Sequence, residues 1–222
     1  MKILALEFSS PQRSVAVVVA GADGRPSATC EVVETATGHT MKPFAMIESA
    51  LRQTNLEREQ IECLVVGLGP GSYTGIRAAI ALAQGWQLVT GARLLGLSSA
   101  ECVAAQATAE GIISKFTVVI DAQREEFYVA DYEIDAVGMR EVAPLRLATL
   151  AEVRGHEGAG ERLVGPEVTR WFPGGQVIFP RAARLGEFAL MRTDFVAGEK
   201  LEPIYLRETA FVKAPPTRVF PG

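Results

Sequence analysis

Side chains that bind metal ions or act as nucleophiles are scarce in this sequence. Its two histidines, His39 and His156, are far apart in the chain, and no HxxxH or HExxH pattern is present. No serine lies in a GxSxG motif. A zinc peptidase needs clustered imidazole or thiolate ligands, and a serine hydrolase needs its nucleophile on a sharp turn. The sequence therefore predicts no metal site and no catalytic residue.

Cysteine pairs, export signals and membrane segments are missing as well. The cysteines Cys30, Cys63 and Cys102 form no CxxC and each lies in an apolar stretch, which predicts buried free thiols in a reducing cytoplasm. The start "MKILALEFSS" lacks the apolar segment and cleavage site of a signal peptide and predicts a strand. The longest apolar helix, Thr74 to Thr90, is interrupted by polar residues, so we expect no membrane span.

An excess of positive charge is absent too. The chain has 22 lysines and arginines against 26 aspartates and glutamates, which gives a net charge of −4 at pH 7. A protein that grips nucleic acid by itself usually presents a basic face. Any contact with a nucleic acid is therefore expected to need a more basic partner. The length of 222 residues suffices for one large domain or two lobes with a substantial core.

What the sequence does contain is a repeated order of strands and helices. Hydrophobic periodicity in the first half predicts three strands and then alternating helices and strands. The strands are Lys2 to Phe8, Ser14 to Ala20, Ala28 to Glu34, Ile61 to Val66 and Leu94 to Leu97, and the helices are Met41 to Thr54, Thr74 to Thr90 and Ser99 to Glu110. From Phe116 the same order returns with shorter helices. These are placed near Thr149 to Val153, Val168 to Trp171 and Ala182 to Met191.

This plan predicts an α/β protein with two tandem actin-like or RNase H-like βββαβαβα lobes, the second eroded. The lobes are expected at residues 1–110 and 111–207, with a proline-rich, extended tail at 208–222. The segment "LEPIYLRE" is either a last strand or a docked arm. In proteins with this plan a nucleotide lies between the lobes, and the acidic positions here are Glu7 and Asp121. The alternative is that Glu7 is a relic and Asp121 serves a turn, because a fold alone does not establish activity.

The densest group of glycines lies in "VVGLGPGSYTGIRAAIALAQGW", Val65 to Trp86. It is not a P-loop, because no lysine occurs between Glu57 and Gly111, and its spacing does not give GxGxxG. Free amides at the start of the following helix still favour an anion there. The candidate anion site comprises Gly69, Gly71, Ser72, Thr74 and Arg77. The alternative is a tight strand-to-helix turn that packs closely on a neighbouring strand.

The stretch "GLGPGSYTGIRAAIALAQGWQLVTGARLLGLSSAE" resembles the signature of the TsaB (YeaZ) family, bacterial proteins of tRNA threonylcarbamoyladenosine synthesis. Supporting similarities are "ILALEFSS", where an aspartate is usual at Glu7, and "GHT", "VVIDAQREEFYVADY" and "EPIYLRE". The resemblance covers most of the chain to about Arg207. The family is related to the threonylcarbamoyltransferase TsaD, whose paired metal-binding histidines this sequence lacks.

The resemblance implies a non-catalytic scaffold that activates a TsaD-like catalytic subunit. Their complex makes N6-threonylcarbamoyladenosine at position 37 of ANN-decoding tRNAs. The implied partners are the TsaD-like subunit and a TsaE-like ATPase, and tRNA is reached only through the complex. Self-association is implied when the partner is absent. The protein itself is expected to hold no cofactor, with a nucleotide at a partner interface left open.

A scaffold needs an exposed apolar face, and the helix that follows the glycines is apolar almost all round. The helix at Met41 to Thr54 is its natural neighbour, and the two together predict one half of a four-helix interface. The residues assigned to this interface are Phe44, Met46, Ala50, Ala79, Ala83 and Trp86. The alternative is that both helices belong to the internal core.

Two other functions are weighed against the scaffold. An ATP-dependent phosphotransferase of the actin-like superfamily requires Glu7 and Asp121 near a magnesium–nucleotide complex. A metallopeptidase, which is the historical glycoprotease interpretation, requires clustered zinc ligands and is disfavoured because the histidines stand apart.

Overall fold

The computed structural model describes residues 1–35, 42–136 and 138–206. The segment "GHT", which contains His39, and the tail predicted at 208–222 therefore lie outside the described residues. Within the described part, two five-stranded mixed sheets carry the chain, each with helices packed on its faces. The expected α/β fold of two lobes with the βββαβαβα order is confirmed.

The first sheet is built around two strands that are buried on both faces, "KILALE" and "CLVVG". Its strands are β1 (Lys2–Glu7), β2 (Gln12–Ala20), β3 (Pro26–Thr35), β4 (Cys63–Gly67) and β5 (Arg93–Leu97), in the order β3-β2-β1-β4-β5. The first three strands are antiparallel, and β4 and β5 run parallel to β1. Such parallel strands read as continuous apolar runs because helices cover both their faces.

The helices of the first lobe begin and end at residues suited to those positions. They are α1 (Pro43–Thr54), α2 (Tyr73–Thr90) and α3 (Ser99–Ala109). Ser72 caps α2, Ser98 caps α3, and Gly91 ends α2 in the left-handed region with a φ of 72°.

The second sheet repeats this plan with weaker helices. Its strands are β6 (Phe116–Asp121), β7 (Glu126–Ile134), β8 (Met139–Thr149), β9 (Arg162–Gly165) and β10 (Gln176–Val177), in the order β10-β9-β6-β7-β8. The helices are α4 (Leu150–Gly158) and α5 (Ala182–Leu190), and a single 3-10 turn at Val168–Arg170 stands where α2 stands in the first lobe.

One helix is longer than the sequence predicts. The sequence places this helix near Thr149 to Val153, but α4 continues to Gly158, so His156 lies in its last turn. A reciprocal capping box between Thr149 and Glu152 starts this helix, and Gly155 is tolerated inside it. The two glycines around His156 suggested a turn, but tertiary packing overrides that weak local signal.

Two helices pack across the boundary between the lobes. α5 lies on the first sheet, where Leu185 joins Ile3 and Val18 in one buried cluster. α3 contributes Val103 and Ala107 to the core of the second sheet. The two sheets are thus separate, but each apolar core is completed by a helix from the other half of the chain.

The end of the described chain returns to the first lobe. We name residues 196–206 the C-terminal arm. Its Val196 N–H donates to the carbonyl of Leu94 at 2.9 Å, and its Ile204 N–H donates to that of Leu68 at 2.9 Å. Leu201 is buried in the core of the first lobe. Of the two alternatives for "LEPIYL", the docked arm is correct.

Candidate functional site

The glycine loop lies against the turn that joins β1 to β2. A Cβ atom at Gly71 would lie 2.2 Å from the Ser9 carbonyl oxygen, and one at Gly75 would lie 2.0 Å from that of Phe8. Both distances are far below any van der Waals contact, and Gly71 also has a φ of 146°. Glycine is needed at these positions because the backbone of one segment touches the backbone of the other.

The amide groups of the loop mostly donate to groups within the protein. The Ser72 N–H donates to the Ser9 carbonyl at 2.6 Å, and the Gly69 N–H donates to Ser99 Oγ at 3.1 Å. The Gly75 N–H donates to the Ser72 hydroxyl at 3.4 Å, which is the cap of α2. These contacts favour the tight turn over an anion-binding loop.

Glu7 lies under this loop and is fully buried. Its Oε1 accepts from the Ser9 N–H at 2.7 Å, and its Oε2 accepts from the Ser99 hydroxyl at 2.8 Å. Burial raises the pKa of the carboxyl above its ordinary value, and the hydrogen bonds from the two serines oppose that shift. Glu7 thus ties β1 to the start of α3 and does not line the cleft between the lobes.

Asp121 lies on the wall of that cleft, which has a volume of about 480 Å³. Its carboxylate is nevertheless used inside its own lobe. Oδ1 accepts from the Gln123 N–H at 2.6 Å and Oδ2 accepts from the Trp171 indole N–H at 3.3 Å. Asp121 therefore serves the turn after β6, and the structure does not bring it together with Glu7.

The remaining residues of the candidate anion site lie on the outer surface of α2. Thr74 is exposed. Arg77 donates to the Tyr73 hydroxyl at 3.2 Å, and its guanidinium lies 5.3 Å from the centre of that ring. Tyr73 in turn stacks on Tyr205 of the C-terminal arm, with ring centres 5.8 Å apart. Arg77 thus belongs to the contact between α2 and the arm.

The structure divides the six residues assigned to the partner interface. Met46, Ala50, Ala79 and Ala83 are at most 1% exposed and pack in the core of the first lobe. Phe44 is 67% exposed, and Trp86 is half-buried. The sequence could not separate them because α2 is apolar on every side, so the pattern does not show which side meets the sheet.

Phe44 and Trp86 line an apolar depression between α1 and α2, which we name the α1–α2 groove. Its volume is about 460 Å³. The apolar lining is Phe44, Ile47, Ala81, Leu82, Gly85, Trp86 and Val89, and Glu48, Arg58, Glu59 and Thr90 complete it.

Large apolar side chains stand exposed beside the groove. Leu88 and Val89 at the end of α2 are 87% and 85% exposed. Contiguous exposed apolar surface with a polar rim is typical of a docking site for another protein. Leu88 and Val89 were visible in the apolar pattern, but only the structure shows that they face outward.

No helix within the described residues is both long enough and apolar enough to cross a membrane.

The fold is that of an actin-like protein with two lobes. Glu7 and Asp121, which end the first strand of each lobe, are used in internal hydrogen bonds, and the first lobe carries an apolar groove. The family model described as TsaD, tRNA N6-adenosine threonylcarbamoyltransferase, matches residues 33–206. The chain belongs to this family, in its TsaB (YeaZ) group.

Similar proteins span nearly the whole chain. The tRNA threonylcarbamoyladenosine biosynthesis protein TsaB of Escherichia coli K12 is 28% identical, covering 97% of this chain and 99% of that protein. TsaB of Haemophilus influenzae is 24% identical, covering 98% of each. A Pseudomonas aeruginosa protein with similarity to the peptidase YeaZ is 24% identical, with a TM-score of 0.78 and coverage of 93% and 99%. YeaZ from the same organism is 22% identical, with a TM-score of 0.75 and coverage of 92% and 99%.

Proposed function

We propose that this protein is a non-catalytic subunit of the complex that makes N6-threonylcarbamoyladenosine at position 37 of ANN-decoding tRNAs. It binds a TsaD-like catalytic subunit through the α1–α2 groove. The exposed apolar surface formed by Phe44, Leu88 and Val89 carries the proposal. The similar proteins of E. coli and H. influenzae are both tRNA threonylcarbamoyladenosine biosynthesis proteins, which supports this role.

The residues of the chain favour the role of a non-catalytic subunit over that of a catalyst. The sequence has no paired histidines, and Glu7 and Asp121 are both used in hydrogen bonds within their own lobes. A TsaE-like ATPase joins the same complex in the cytoplasm, and tRNA is contacted through the partners because the chain carries a net charge of −4. Without a partner, a second copy of the chain covers the groove.

The docking surface is tested at Leu88, the exposed neighbour of the groove residue Val89 in the last turn of α2. Leu88→Asp places a charge where an apolar partner surface is expected, so it should abolish co-purification with a TsaD-like subunit and lower tRNA modification in a reconstituted assay. Because Leu88 is 87% exposed, the substitution should change the free energy of unfolding by no more than about 0.5 kcal/mol.

Ile113→Asp is the matched control, since Ile113 is 81% exposed and lies outside the groove. It should leave both partner binding and tRNA modification intact. The proposal fails if Leu88→Asp binds the partner normally, or if modification is undiminished when this chain is omitted. Substitutions at Ala79 or Ala83 test folding instead, because both side chains face the core.

The cleft between the lobes gives a second candidate function, an ATP-dependent phosphotransferase. The observation that favours it is Arg13, which lines the cleft and has a buried Nε without a hydrogen-bond partner among the described residues. Calorimetry with ATP and Mg²⁺ on the isolated chain separates the two functions. Micromolar binding that is lost in Asp121→Ala would favour the enzyme, and no heat of binding would favour the scaffold.

A further inference from the structure

Three side chains with metal-binding atoms meet at one end of the second sheet, in the other lobe from the α1–α2 groove. Asp131 lies on β7, His156 in the last turn of α4, and Glu161 directly before β9. Their ligand atoms lie within 4.8 Å of one another. The sequence predicts no metal site because the two histidines are distant in the chain, but folding brings carboxylates to His156 from other elements.

Backbone pairing places these three residues together. Thr117 on β6 pairs directly with Asp131 on β7, so their side chains share one face of the sheet. The parallel pairing of Thr117 with Leu163 brings the start of β9, and so Glu161, to the same end. The Glu161 N–H donates to the His156 carbonyl at 3.0 Å and closes the turn between α4 and β9. The arrangement therefore follows from the fold and not from mobile surface side chains.

The basic groups around the cluster pair with only one of its two carboxylates. Lys115 Nζ lies 3.0 Å from Glu161 Oε1, and His156 Nδ1 lies 2.7 Å from Glu161 Oε2, so both basic groups pair with Glu161. Asp131 is 8% exposed and accepts from the Thr117 hydroxyl at 2.7 Å. Within the part of the chain that the structure describes, no lysine, arginine or histidine nitrogen lies within 4.0 Å of its carboxylate. Asp131 therefore has no direct ion pair and feels Lys115 only from a distance, so a cation bound among the three side chains would give it a direct counter-charge.

We propose that Asp131, His156 and Glu161 bind a Zn²⁺ ion. One imidazole nitrogen and two carboxylate oxygens form a donor set that zinc accepts, whereas magnesium and calcium prefer oxygen alone. With three protein ligands, a water molecule completes the tetrahedron. The ion links β7, the end of α4 and the start of β9, so its role is to stabilise the second lobe. The zinc ion takes the place of the hydrogen bond between His156 and Glu161 Oε2. The ion pair between Lys115 and Glu161 Oε1 remains.

The test is calorimetric titration of the full chain with zinc chloride. A Cys30→Ser background removes the half-exposed thiol, which is the cysteine most accessible to zinc. One zinc ion per chain is expected. His156→Ala should weaken binding by at least about tenfold, since removal of even an outer-shell partner costs ~10- to 100-fold in affinity. Asp131→Asn and Glu161→Gln should also weaken it, and His39→Ala, which changes the other histidine, should not.

Lys115→Met keeps the test decisive if a ligand variant fails to fold, because the Lys115 side chain is 46% exposed. The positive charge of this lysine repels a nearby cation and neutralises part of the charge on Glu161, so its removal should increase the affinity for zinc. If the cluster is only a network of ion pairs, the wild-type chain binds no zinc there and Lys115→Met changes stability alone. Absence of binding to the wild type, or binding that His156→Ala leaves unchanged, overturns the proposal.

Discussion

The carboxyl of Glu7 shows how one buried polar residue organises the loop that marks this family. It accepts one hydrogen bond from the turn after β1 and another from Ser99 at the start of α3, and Ser99 also accepts from Gly69. A single side chain therefore joins three segments distant in sequence. The length of the glutamate side chain is used for this reach.

Glu7 also makes the stability of the protein depend on pH. Its pKa is raised in the folded state by burial, so the folded protein binds the proton more tightly than the unfolded chain does. The contribution to stability is greatest below the unfolded value of 4.5 and is lost as the pH rises through the folded pKa. Glu7→Gln, which stays uncharged, should therefore reduce the fall in stability over this range.

Urea unfolding of both proteins from pH 4.5 upward measures this difference. The interpretation is contradicted if the two midpoints change in parallel with pH. Glu152→Gln is a useful control because the pKa of Glu152, an exposed residue, is lowered by its hydrogen bonds to Thr149. The contribution of that carboxylate is lost as the pH falls below 4.5, so Glu152→Gln should show the same change in stability above pH 4.5 as the wild type.

At the scale of secondary-structure elements, the start of α5 fastens the second lobe to the first. Arg181 donates to Glu31 Oε2 through Nε at 3.0 Å and Nη2 at 2.7 Å, and the Ala183 N–H donates to Glu31 Oε1 at 3.1 Å. Ser14 Oγ accepts from the Ala182 N–H at 2.8 Å. Side chains of β2 and β3 thus satisfy the free amides at this helix terminus.

Glu31→Gln should destabilise the protein by about 2 kcal/mol, because it leaves the partly buried Arg181 without its charged partner and weakens the cap of α5. Glu48→Gln should change stability by no more than about 0.5 kcal/mol, because the Glu48–Arg58 pair is exposed on both sides. Denaturant unfolding compares the two variants. Equal effects would show that the contact at α5 contributes no more than a surface ion pair.

The elements themselves were largely predictable from the sequence, and their packing was not. The apolar runs of β1 and β4, the Ser98 cap and the long apolar α2 carry strong local signals. The end of α4 was misjudged because Gly155 and Gly158 outweighed the helical pattern around His156. The side of α2 that stays exposed, and the meeting of Asp131 with His156 and Glu161, depend on contacts between distant segments. No local pattern encodes such contacts.

At the scale of the whole molecule, the exchange of helices makes the two lobes dependent on each other. Without α5, one face of the first sheet would expose Ile3, Ala5 and Val18 to water. Without α3, the side chains of Phe116 and Val118 on the second sheet would be exposed to water. The burial of these side chains favours a molecule in which neither lobe is stable alone.

A single cooperative unfolding transition is therefore expected for the full chain. Each lobe holds one tryptophan, Trp86 in the first and Trp171 in the second. The fluorescence of Trp171→Phe reports on the first lobe, and that of Trp86→Phe reports on the second. In each variant, the unfolding transition followed by fluorescence should coincide with the one followed by circular dichroism. Two separate transitions would show that the lobes fold independently in spite of the shared helices.

The C-terminal arm has a consequence for how quickly a partner associates. Gln84 and Gln87 on one flank of α2 form hydrogen bonds of 2.8 and 3.0 Å with the backbone of Gly198, while Leu88 and Val89 point away from the arm into solvent. The C-terminal arm thus fixes the position of α2 in the free protein. Docking at the groove, as proposed above, then costs little conformational entropy, so we expect the rate of association to be set by diffusion and orientation and not by a slow rearrangement of the chain.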